Sequence, residues 1–81
     1  MPQANIVSAW TDGGLASMEV TVAETDGKNH VYTGSVDNNA TFQALTNAQK
    51  KTALLNAVKA VRDAQVTQRT SIGGITGTAA V

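Results

Sequence analysis

From Thr46 to Gln65 the chain holds no glycine and no proline, and most of its residues are good helix formers. Thr46-Asn47-Ala48-Gln49 matches a capping box, in which the Thr46 hydroxyl accepts from the Gln49 amide and the Gln49 side chain reaches back. The spacing predicts one long helix from there to about Gln65. Phe42 to Leu45 form a preceding turn or extend that helix, with Thr41 as the alternative cap. Leu54, Leu55, Val58 and Val61 fall on one arc, and a single apolar arc needs another surface to cover it. Beside it runs a stripe of small residues, Ala53, Ala57, Ala60 and Ala64, while Thr52, Asn56, Lys59 and Asp63 point to water.

The surface to be covered lies upstream. Met18, Val20 and Val22 alternate with Ser17, Glu19 and Thr21, the period of a half-buried strand. Asp26-Gly27 is a strong hairpin signal and Val31 to Val36 supplies the return strand. A two-residue turn pairs Val22 with Val31 and Val20 with Thr33. A three-residue loop through Lys28 instead pairs Val22 with Tyr32 and Met18 with Val36, which places more apolar surface together and is favoured. A slip of one residue reverses the face of the whole strand. Asn5 to Trp10 reads as a short strand before the Asp12-Gly13-Gly14 turn, with Ile6, Ser8 and Trp10 on one side.

These elements predict an α+β fold: a small antiparallel sheet, made of a hairpin and a short N-terminal strand, packed against one long helix. Residues 1–65 form that domain. From Val66 the helical period fades into Thr, Ser, Gly and Ala with isolated Ile72, Ile75 and Val81, so residues 66–81 are expected to be an extended or flexible C-terminal arm.

Eighty-one residues allow one domain with a modest core, and the absence of cysteine leaves no disulfide to brace it. Six basic and six acidic side chains cancel, so no net field draws the chain to nucleic acid or acidic membrane. Met1 to Asn5 has neither the basic nor the apolar region of a secretory signal, and no apolar run approaches the roughly 20 residues a bilayer requires. The expectation is a soluble protein used without secretion, in which the Asn39-Ala40-Thr41 sequon is a chance match.

Residue types that carry chemistry are sparse. His30, the single histidine, sits at a hairpin tip beside Glu24 and Asp26, where a solvated role outweighs a general base or a metal ligand. No Gly-x-Ser-x-Gly elbow supports a Ser-His-Asp arrangement. Gly73-Gly74-Ile75-Thr76-Gly77 lacks the lysine of a phosphate loop, and its GxxG match lacks the flanking helices of a KH domain. No catalytic residue, cofactor or metal ligand is therefore expected. Lys50, Lys51, Lys59 and Arg62 make the helix basic, but without aromatic platforms they read first as a solvated face. Assembly is the better-supported role: Ala53, Ala57, Ala60 and Ala64 would let another helix approach closely, and Ile72, Ile75 and Val81 would anchor an arm on a neighbour.

The segments Met18 to Glu24, Tyr32 to Val36, Phe42 to Lys51 and Ala57 to Gln65 resemble small proteins encoded among the structural genes of tailed bacteriophages, over roughly residues 5 to 65. The resemblance implies a non-enzymatic component of the head, neck or tail, found in the virion and, during assembly, in the host cytoplasm. Its implied partners are copies of itself or other virion proteins, with no small-molecule substrate and no membrane. The alternative is a small nucleic-acid-binding regulator that uses the basic helix face.

Overall fold

A computed structural model describes residues 3–75 and 77–80. Its elements are strands β1 (Ala4–Asp12), β2 (Leu15–Ala23) and β3 (Asn29–Asp37), a single helical turn α1 (Ala40–Gln43) and the long helix α2 (Asn47–Ser71). The strands form one antiparallel sheet in the order β1-β2-β3, so the fold is α+β with one long helix on a small sheet.

Both turns follow from glycine. Gly13 adopts φ +60° in the two-residue connection between Asp12 and Leu15. In the second hairpin the loop is Thr25-Asp26-Gly27, closed by the Glu24 amide on the Lys28 carbonyl at 3.0 Å, with Gly27 at φ +82°. Asp26 Oδ1 accepts from the Lys28 amide at 2.9 Å and fixes the loop. Val20 thus pairs with Tyr32 and Val22 with His30, a register different from both sequence-based alternatives. The loop has three residues as favoured, but it begins one residue earlier, because Gly27 takes the third, left-handed position. Pairs move by two residues and their faces are kept.

The inner face gathers Ala16, Met18, Val20 and Val22 from β2 and Tyr32 from β3, which Leu54 and Val58 of α2 cover. Leu55 and Val61 pack at the margin, so the expected apolar arc is the one that docks. Complete burial of Val20 and Tyr32 makes them the centre, each such apolar side chain contributing roughly 1.5–3 kcal/mol. Gly34 permits the close approach of helix and sheet: a Cβ there would meet the Val58 amide nitrogen and lie 2.7 Å from the Ala57 carbonyl carbon.

The capping box forms as read, with Gln49 N to Thr46 Oγ1 at 3.2 Å and Thr46 N to Gln49 Oε1 at 3.0 Å. Before it, α1 is capped by Asn39, whose Oδ1 accepts from the Phe42 amide, and not by Thr41. Two expectations are corrected. The helix continues past Gln65 to Ser71, so residues 66–71 belong to the helix and not to an arm. And β1 is longer than Asn5 to Trp10 and contains a bulge between Ile6 and Ser8. The bulge puts Ile6 on the inner side with Ala9, while Ser8 and Trp10 face the other way, so Ile6 and Trp10 do not share a side.

Candidate functional site

Where the β2–β3 hairpin meets the second half of α2, a cluster of polar side chains closes around Glu24. The alternation that sends Val20 and Val22 inward also sends Glu24 inward, leaving its side chain 5% exposed. Arg62 holds it in a two-pronged contact, Nε to Oε2 at 2.9 Å and Nη2 to Oε1 at 2.7 Å. The Tyr32 hydroxyl donates to Oε2 at 2.6 Å and accepts from Arg69 Nη2 at 2.7 Å. Arg69 Nη2 also lies 3.3 Å from Oε2. At the rim, His30 Nε2 donates to Asp26 Oδ2 at 2.7 Å while His30 Nδ1 faces Arg69 Nη1 at 3.4 Å.

The electrostatics argue for a lock. The Arg62 contact, then the Tyr32 hydrogen bond, outweigh burial and hold the Glu24 carboxyl down at about 2. Asp26 is lowered by His30 and by the Lys28 amide, Arg62 is raised by Glu24, and Tyr32 is raised chiefly by burial. A carboxylate held ionised in this way is a poor proton donor or acceptor near neutrality. A cleft of about 250 Å³ opens beside it, lined by Glu24, Asp26, Arg62, Val66 and Arg69 among others, but its charged groups are already paired, Glu24 with Arg62 and Arg69 and Asp26 with His30. No buried side-chain nitrogen or oxygen lacks a hydrogen-bond partner among the described residues. Among those residues no group of three or more His, Cys, Asp or Glu is placed to hold a metal ion.

The basic helix face does not survive as a unit. Arg62 turns inward to Glu24, and Lys50 lies over the Phe42 ring at 5.9 Å, leaving Lys51 and Lys59 exposed. The alanine stripe is uneven in exposure: Ala53 and Ala57 are half-buried, with the Ala57 backbone against Gly34, whereas Ala60 and Ala64 are exposed. Ile72 and Ile75 are exposed at 61% and 77%, and Val81 lies outside the described residues.

The feature that composition did not reveal is β1. Helix α2 packs on β3 and β2 and leaves β1 uncovered, so all nine of its residues are exposed, among them Ile6, Val7 and Trp10 at 43%, 57% and 40%. Among the described residues no strand neighbours its outer backbone edge, and its inner side forms the floor of grooves edged by Lys51, Leu54 and Leu55. Along those nine residues the single charge is Asp12, and there is no lysine or proline of the kind that discourages edge pairing. Ile6 and Trp10 carried the signal in the sequence; the bulge and the offset helix that together expose them did not. No helix among the described residues is long and apolar enough to cross a membrane. No family model, curated protein or solved structure matches the chain.

Proposed function

We propose that this chain is a non-enzymatic structural subunit of a bacteriophage virion, a capsid-associated, neck or tail protein that assembles laterally through its own surfaces. The observation that carries the assembly reading is β1, a nine-residue edge strand with exposed Ile6, Val7 and Trp10 and only one charge. A long, nearly uncharged edge is a template for pairing with another chain. The buried carboxylate Glu24, by contrast, is taken up by Arg62, Arg69 and Tyr32, and this cluster braces the hairpin against the helix. The particle class rests on the resemblance of residues 5 to 65 to small phage structural proteins. The exposed Ile72 and Ile75 after α2 supply a second, arm-like contact to a copy or to another virion protein.

Mass spectrometry of gradient-purified particles, made by the phage genome that encodes this chain, tests the reading. The chain is expected at a fixed ratio to the major virion proteins. Its presence in the infected lysate but absence from the particles overturns the reading.

A further inference from the structure

We infer that the occupant of the β1 edge is β1 of a second copy, paired antiparallel about a two-fold axis that passes between Val7 and Ser8. The inference rests on the assembly reading and names its partner. The bulge decides the register. In a regular strand, antiparallel self-pairing keeps faces matched only when residue numbers sum to an even value, because side chains alternate. In β1 the bulge shifts the alternation: Ala4 and Ile6 lie on the inner side before it, and Ala9 and Thr11 after it. Faces therefore match across the axis when the numbers sum to an odd value. The register that uses the whole strand places Ile6 opposite Ala9, Ala4 opposite Thr11, and Asn5 opposite Trp10 of the other copy. Bulge then meets bulge, so neither copy leaves an extra residue against a regular strand.

Residue sizes and charges suit this pairing. Each Ile6 lies across from a small Ala9, and each Trp10 from the smaller Asn5. The one charge, Asp12, lies opposite Gln3 of the other copy, and the two Asp12 residues stand about 30 Å apart. Because the axis is perpendicular to the sheet, the product is a six-stranded sheet with both α2 helices on the same face. The inner grooves of the two copies then merge, with Leu55 and the aliphatic stem of Lys51 along each side while the ammonium groups stay in water. The β3 edge is a poorer candidate, because α2 sits over its inner face and Asp37 and the His30–Asp26 pair flank it. Because α2 leaves β1 uncovered, the meeting strip is one sheet layer, about 30 Å long and about 10 Å deep, or about 300 Å² per copy. That total of about 600 Å² lies below the range of a stable specific interface, so a weak dimer, populated only at high protein concentration, is expected.

Sedimentation of the full chain across a concentration series should show a mass rising from 8.3 kDa toward twice that value. Ile6→Lys, at a position already 43% exposed, should weaken self-association by at least about tenfold, with far-ultraviolet circular dichroism unchanged. The register is read separately by cross-linking, since the natural chain has no cysteine. Mixing Ile6→Cys with Ala9→Cys under mild oxidation should give a mixed disulfide in preference to either homodimer. A constant monomer mass overturns the second-copy occupant, as does a dimer indifferent to Ile6→Lys. Cross-linking dominated by either homodimer overturns the register. A monomer that is nevertheless found in particles means that another virion protein takes the edge, whereas a dimer absent from particles leaves this inference standing and removes the virion reading.

Discussion

Gly34 sets the distance between sheet and helix. Any Cβ at that position would press on the backbone of Ala57 and Val58, and no side chain can rotate out of the way. Gly34→Ala should therefore lower stability by about 2–4 kcal/mol, read as a lower urea midpoint with an unchanged slope. Gly14→Ala, where a Cβ would find nothing within 4 Å, is the matched control and should be nearly neutral. Glu24 governs the other residue-scale expectation. Its carboxyl sits at about 2 in the folded chain against an ordinary 4.5, so the stabilisation is fully present above pH 4.5 and is lost as pH falls toward 2. Glu24→Gln should lower stability at pH 7 by about 2–3 kcal/mol, since it leaves Arg62 and Arg69 without their charged partner. Urea midpoints measured from pH 7 down to 2.5 should then fall less steeply in the variant than in the natural chain. The slope that remains belongs in part to Asp26, which is also lowered. Equal slopes for both chains would mean that Glu24 does not carry the acid sensitivity.

At the scale of elements, what could be read in the sequence was whatever local chemistry fixes. The Thr46 capping box, the Asp12-Gly13-Gly14 turn and the alternation of Met18, Val20 and Val22 are decided within a few residues, and they place the helix and the strands. Register is decided elsewhere. The second hairpin settles where Glu24 meets Arg62, which is 38 residues away in the chain, and no local pattern announces that pair. The helix end is a similar case. Thr67, Thr70 and Ser71 argue against helix by propensity, yet their hydroxyls bond back to Asp63, Val66 and Gln68 carbonyls. Arg69, one face with Arg62 and Val66, then ties the extra turns to Tyr32. The β1 bulge left no mark in composition, and it separates Ile6 from Trp10, which a strict period of two had joined. Of the candidate interface residues, the alanines were visible as a stripe, but their burial depended on where Gly34 let the helix settle.

For the whole molecule, the decisive coupling runs between the C-terminal half of α2 and the hairpin tip. The helix carries on past the apolar core, and there Arg62, Val66 and Arg69 replace aliphatic packing with charged contacts to Glu24 and Tyr32. This makes the limit of the folded unit Ser71, and a truncation pair locates it. A chain ending after Ser71 loses only residues beyond the helix, where Ile72 and Ile75 are exposed, and its urea midpoint should stay within about 0.5 kcal/mol of the full chain. A chain ending after Gln65 loses Arg69 together with the last turns of α2, so Tyr32 keeps Glu24 as its only charged partner. It should fall by about 1–3 kcal/mol, and the loss should be largest near neutral pH, where Glu24 is ionised. If both truncations behave alike, the last turns of α2 are an appendage and the folded unit ends at Gln65. If only the longer truncation destabilises, residues from Ile72 onward are free to act as an assembly arm without loosening the domain that carries β1.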